Sequence, residues 1–168
     1  MSTVKKLTTS WHLWMVHKIT GLMAKKKIAI GGDHAGPDLK EAIKSDPRFQ
    51  DVEWMDMGTD GHDSVDYPDF AHPTAEAVAN GQAELGILIC GSGNGVAMTA
   101  NKHQSIRAAL CWNQEIAQLA REHNNANMIA LPARFVTTEE ALNMVDAFLH
   151  TPFEGGRHER RVNKIACS

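Results

Sequence analysis

Residues 85–95 read LGILICGSGNG, and the rest of the chain is best read outward from them. The apolar run from Leu85 to Ile89 stops at Cys90, and glycines follow at Gly91, Gly93 and Gly95. A short apolar run cut off by glycine is the pattern of a parallel strand buried on both faces. The next residues, VAMTANK, suit a helix, so the glycine loop lies between a strand's carboxyl end and a helix's amino end. Backbone N–H groups turned inward by such a loop form a nest for an anion, and the helix dipole adds to it. Cys90 stands at the lip of that nest, where negative charge on sulfur is favoured.

Outward from this strand the chain alternates. Residues 27–31, KIAIG, form a β-rich run, and GDHAG turns the chain into PDLKEAIKS. Pro37 suits a first helical turn there, and Leu39, Ala42 and Ile43 make an apolar stripe. Residues 51–57, DVEWMDM, alternate as a second strand. The polar, turn-rich stretch 58–69 reads as a loop, a segment type that serves sites in compact domains. Residues 70–80 read as a helix stopped by Gly81. After the third strand comes a helix reaching about Lys102, then SIRAALC at 105–111 as a fourth strand. A helix over 114–123 and NMIAL at 127–131 as a fifth strand follow. Residues 138–150 form an amphipathic helix capped by Thr137 or Thr138, and 153–165 restart after Gly155-Gly156 as a last helix.

Strands alternating with helices at this spacing mean parallel βαβ units with right-handed crossovers. The expected fold is α/β, a three-layer sandwich around a five-stranded parallel, Rossmann-like sheet. Ligands of such sheets bind beyond the carboxyl ends of the strands. The first, third, fourth and fifth strands end near Asp33, Cys90, Cys111 and Arg134, which gathers their polar loops at one edge.

The 168 residues suffice for one domain with a full core, read here as residues 25–168. A composition of 43% hydrophobic and 22% charged residues is ordinary for a soluble globular protein. The net charge of -3, without a long basic block, points away from nucleic acid. Cys90, Cys111 and Cys167 are odd in number and lack CxxC spacing, so neither a disulfide framework nor a metal site is expected and a cytoplasmic protein fits best. No apolar run approaches the length of a membrane span. Residues 1–24 hold Trp11 and Trp14 ahead of any recognisable domain, and His12, His17 and Lys18 interrupt the apolar stretch that a signal peptide needs. Met23 opens MAKKKIAI, a natural start before the first strand. Residues 1–24 therefore read as an extension outside the fold from an upstream start, with a short amphipathic helix on a partner subunit as the alternative.

Each candidate group also has a plain structural reading. Cys90 could be an inert buried thiol, the commoner fate of a free cysteine. The glycine loop could be a tight turn with no ligand, and its G-x-G-x-G spacing lacks the acidic partner of a dinucleotide fingerprint. Asp33-His34 could cap a turn, although a histidine at a strand's carboxyl end leans toward function. His123-Asn124-Asn125 closes a helix, where these residue types are common. Arg157 and Arg161, at i and i+4, share a helix face that is either solvated or a clamp for a phosphate dianion, with Arg134 available to join it. His62, His72, His103 and His150 read as surface histidines, and Cys111 and Cys167 as structural or incidental.

Together, DHAG at Asp33, DYPDFA at Asp66, GILICGSGNG at Gly86, REHNNAN at Arg121 and FEGGRHERRV at Phe153 resemble the ribose-5-phosphate isomerase B family. That group is shared with isomerases of galactose and allose 6-phosphates, and the likeness runs in order from about Lys26 to Ile165. The resemblance implies that Cys90 is the base moving a proton between C1 and C2 of an open-chain sugar. It implies that Ser92 and the N–H groups of Gly91, Gly93, Asn94 and Gly95 hold the enediolate. His123, helped by Asp33 and Tyr67, would open the furanose ring. His34, Arg134, Arg157 and Arg161 would bind the phosphate, with His158 in the same clamp and Asn124 on a sugar hydroxyl. No cofactor is implied. The implied substrate is a phosphorylated pentose, and the implied assembly is a homodimer or tetramer with active sites shared between subunits.

This chemistry suits the residue types, since an aldose–ketose shift needs a base near C2 and preorganised donors for the enediolate. Ser92 stands where many members carry threonine, and the hydroxyl is kept. The presence of Cys90 and His123 in one chain favours a self-sufficient homodimer. Three alternatives stand beside the ribose 5-phosphate reading: a 6-phosphohexose isomerase, a non-catalytic sugar-phosphate sensor, and a cysteine hydrolase, the last without an oriented Cys–His–acid pattern.

Overall fold

The computed structural model describes residues 25–167, so the expected extension at residues 1–24 lies outside the described residues. Five strands, β1 (Lys26–Gly32), β2 (Val52–Asp56), β3 (Leu85–Cys90), β4 (Ala108–Leu110) and β5 (Met128–Pro132), form one sheet in the order β2-β1-β3-β5-β4. All pairings are parallel. The connecting helices are α1 (Pro37–Ser45), α2 (Pro68–Ala79), α3 (Asn94–Ala100), α4 (Gln114–Asn124) and α5 (Thr138–His150), with a short α6 (Arg157–Val162) at the end.

The strand side chains alternate between two cores, as a period of two requires. Ile28, Ile30, Ile87, Ile89, Ile129 and Leu131 face α1, α4 and α5. Ala29, Leu88, Cys90, Met128 and Ala130 face α2 and α3, which bring alanines and valines in return. Every residue of β3 is buried, because it lies mid-sheet under helices on both sides. The chain winds outward in opposite directions from β1 and β3, and this switch point opens a crevice at their carboxyl ends.

Two expected elements are shorter than their sequence suggests. The fourth strand was expected over 105–111 and covers only Ala108–Leu110. It pairs on one side only, and the Asn101 side chain occupies both the N–H (2.8 Å) and the C=O (2.9 Å) of Ala108. The Asn127 side chain accepts from Arg107 N–H (2.7 Å) and donates to Ser105 C=O (2.9 Å), so amides replace the ladder there and blunt the edge. The last helix was expected over 153–165 and spans only Arg157–Val162. Gly155 (φ 68°) and Gly156 (φ 55°) take left-handed conformations that a right-handed helix cannot include. Thr137 is the cap of α5 and forms a full capping box with Glu140.

Ile129 is fully buried and its side chain belongs to the larger core, whereas Lys27 and Glu53 form a half-exposed ion pair at 3.4 Å. Urea unfolding should therefore show Ile129→Ala losing about 2–5 kcal/mol. Glu53→Ala should stay within about 0.5 kcal/mol of wild type. Equal losses would contradict this division between core and surface.

Candidate active site

An open cleft of about 410 Å³ occupies the crevice beyond β1 and β3, lined by Asp33, His34, Tyr67, Cys90, Gly91, Ser92, Gly95, Arg134 and Phe135. Cys90 is the last residue of β3, where the strand runs out and the glycine loop begins. Its Sγ accepts the Gly93 N–H at 3.1 Å, a donor that a thiolate holds more strongly than a thiol. Gly93 adopts φ 76°, and a Cβ there would lie 2.4 Å from Leu110 Cδ1. The loop needs glycine at this point to aim its N–H at the sulfur.

Two backbone bonds lock this loop to the one after β5: Ala133 N–H donates to Cys90 C=O (2.9 Å) and Arg134 N–H to Gly91 C=O (3.1 Å). They carry the Arg134 guanidinium across Gly91. On the other wall, Asp33 Oδ1 accepts Ala35 N–H at 2.9 Å, holding the turn that presents His34. His34 Nδ1 accepts Val65 N–H at 3.3 Å, so the neutral ring carries its proton on Nε2. The Tyr67 ring lies so close over Gly95 that a Cβ there would meet it at 2.6 Å. Ser92 Oγ accepts Asn94 N–H at 3.4 Å at the start of α3.

The structure brings Asp33, His34, Tyr67, Cys90, Gly91, Ser92, Gly95 and Arg134 together, whereas Gly93 spends its N–H on the Cys90 sulfur and Asn94 lines a separate hollow beside α3 and β4. His123, Asn124, Arg157, His158 and Arg161 do not line this cleft. The reason is topological. A crossover helix runs back antiparallel to the strands, so the carboxyl end of α4 lies near the amino edge of the sheet. His123 and Asn124 close that helix.

His123 there stacks on His158, with ring centroids 4.2 Å apart and planes within 7°. Glu154 Oε2 lies 3.4 Å from His158 Nε2 and 3.9 Å from His123 Nε2, and Glu154 N–H donates to Glu122 C=O. Burial, then the neighbouring His123 and Arg157, pull the His158 pKa below the ordinary histidine value, against the opposing pull of Glu154. The donor atoms of His123, Glu154 and His158 lie within 4.8 Å of one another, a grouping that linear spacing did not foretell. Arg157 Nε sits 3.5 Å from His158 Nε2, and Arg161 also acts on that ring, so the surroundings favour an anion over a dication.

The three cysteines separate by environment. Cys111 is fully buried, and burial pushes its thiol up to about 12. Cys167 is exposed and away from the cleft. Cys90 alone lines the cleft. Sequence reasoning missed Phe135, 75% exposed beside Arg134, although a large apolar residue just past a strand's carboxyl end is a usable signal. It also missed Glu154, whose proximity to the histidines depends on the Gly155-Gly156 turn.

The profile of the Ribose/Galactose Isomerase family matches residues 28–165. Ribose-5-phosphate isomerase B of Escherichia coli is 46% identical over 142 residues, covering 84% of this chain and 95% of that protein. The crystal structure of a ribose 5-phosphate isomerase from Thermotoga maritima superposes with a TM-score of 0.81 at 48% identity, covering 84% of this chain and 97% of that one. The structure of ribose-5-phosphate isomerase B from Mycoplasma genitalium with bound ribulose-5-phosphate gives a TM-score of 0.79 at 45% identity, covering 83% and 93%.

Two measurements check the geometry. Brief alkylation with iodoacetamide at pH 7, read by peptide mass, should label Cys90 and Cys167 and leave Cys111 unmodified; prompt labelling of Cys111 would contradict its assigned burial. In an NMR titration the His158 ring should change charge below about pH 6.5. Because its folded pKa is lowered, His158 favours unfolding as the pH falls from the unfolded value towards the folded one, and adds no further loss below that. A midpoint above the ordinary value would reverse the sign.

Proposed function

The chain belongs to the ribose/galactose isomerase family, and we propose that this aldose–ketose isomerase interconverts D-ribose 5-phosphate and D-ribulose 5-phosphate through an enediolate. The observation that carries the reading is the Cys90 sulfur, set at the mouth of the glycine loop and accepting the Gly93 N–H. The relative crystallised with ribulose-5-phosphate supports the choice of substrate.

Cys90 takes the proton from C2 of the open-chain aldose, which leaves a 1,2-enediolate. The N–H groups of Gly91 and Gly95, with the Ser92 hydroxyl, meet the developing negative charge while the Gly93 N–H stays on the sulfur and the Asn94 N–H on Ser92 Oγ. Each donor to an enediolate is typically worth about 10²–10³ in rate. A proton moves from O2 to O1, and Cys90 returns its proton to C1, giving the ketose. Nothing is oxidised or reduced overall. His34 and Arg134 hold the phosphate, and binding energy gathered there positions C1 and C2 at the sulfur.

His123 acts in ring opening, together with Asp33 and Tyr67. It reaches a cleft only when a second copy of the chain supplies it, because its own α4 carries it to the opposite edge of the sheet. Asn124, Arg157, His158 and Arg161 travel with it and complete the sugar and phosphate contacts. The exposed Trp112 and Phe135, near the carboxyl edge, fit a surface covered by that partner. The assembly is thus a homodimer, or a tetramer built from such dimers, with shared sites.

Purified protein should convert ribose 5-phosphate faster than allose 6-phosphate, and Cys90→Ala should lose at least about 10²-fold of kcat. Cys90→Ala and His123→Ala, each nearly inactive alone, should regain turnover when mixed and allowed to exchange subunits, since a mixed dimer contains one intact site. Preference for allose 6-phosphate would change the substrate and keep the mechanism. No recovery on mixing would place both residues in one chain's site, and no turnover of either sugar would favour a sensor.

A further inference from the structure

Lys40, on α1, is a lysine with only 2% of its side chain exposed, and no step above uses it. Its Nζ donates to Asp56 Oδ1 (2.7 Å), Thr59 C=O (2.8 Å) and Asp60 Oδ1 (2.6 Å), which fills all three ammonium donors. Asp56 ends β2, and Thr59 and Asp60 lie in the segment 57–67 that joins it to α2. Burial disfavours the Asp56 carboxylate, but hydrogen bonds from Lys40, Lys44 and Gly58 N–H outweigh it and hold the pKa below the ordinary carboxylate value. The segment is further tied to β1 by Gly32 N–H on Gly58 C=O (2.9 Å) and Thr59 N–H on Gly32 C=O (3.0 Å). Beyond these ties it runs to Val65, whose N–H holds the His34 ring, and to Tyr67 over Gly95.

We infer that Lys40 is a positioning residue for the reaction, its buried ammonium fixing residues 57–67 and through them Tyr67 and the His34 ring. The inference rests on the roles proposed above for those two residues. A buried lysine survives only with its charge paired and its donors filled. Here every partner belongs to β2 or to the loop that follows it, so the charge is spent on the one long connection that enters the cleft. An apolar side chain at position 40 would fill the space and leave the loop unanchored.

The test is a double-mutant cycle on kcat/KM for ribose 5-phosphate. Lys40→Met should lower it by about 10²-fold, the scale of a misplaced catalytic group. If Lys40 acts through the loop, Lys40→Met combined with Tyr67→Phe should be hardly worse than the weaker single variant, whereas multiplied losses would overturn the inference. Should Lys40→Met fail to fold, Asp60→Asn removes the negative charge of the exposed loop-side partner and leaves Lys40 in place. That variant should raise KM several-fold and speed hydrogen exchange of amides 58–67, with the unfolding midpoint unchanged. Unaltered KM and exchange in Asp60→Asn would overturn the inference. If the wild type turned over neither sugar, the proposed function would fall, and the exchange of amides 58–67 would by itself decide whether Lys40 anchors the loop.

Discussion

The burial of β3 on both faces and both edges is the constraint on which the molecule depends. A strand paired with β1 and β5 and covered by helices can carry no polar side chain along its length. Chemistry is possible only where the strand ends. Cys90 is that end, and the glycines after it let the backbone fold back with its N–H groups facing the sulfur. Larger residues would strike Leu110 at position 93 or the Tyr67 ring at position 95. The loop is therefore fixed by neighbours as well as by its own flexibility.

The same packing gives the cysteines different fates. Cys90 ends β3, Cys111 follows the end of β4, and both are buried. Cys111 sits in the larger apolar core, where burial holds its proton firmly. Cys90 faces the other side, borders the cleft and has a backbone donor on its sulfur. One alternation of side chains across the sheet separates an inert thiol from a reactive candidate.

The second half of the proposed machinery follows from the handedness of the crossover. A helix that returns beside the sheet must deliver its last residues to the edge opposite the cleft. The stacked His123 and His158 thus lie with the Arg157 and Arg161 cations and the Glu154 carboxylate on a part of the surface away from the glycine loop. In the proposed dimer a twofold axis would join each of these groups to the partner's glycine loop, twice over.

The sequence alone determined the α/β alternation, the strand and helix sites, the cleft-forming loops and the capped α5, because these depend on local periodicity, glycine and capping residues. The motifs around Asp33, Asp66, Gly86, Arg121 and Phe153 were equally legible and carried the family. Tertiary structure decided what depends on side chains meeting from distant positions. Asn101 and Asn127 shortened β4 by taking its backbone bonds, and left-handed Gly155 and Gly156 confined α6. The ammonium of Lys40 found its partners 16 to 20 residues away, and Glu154 reached two histidines only after a turn. No linear pattern announces such contacts, because a buried charge and its partner are matched by the packing of the chain and not by their spacing along it.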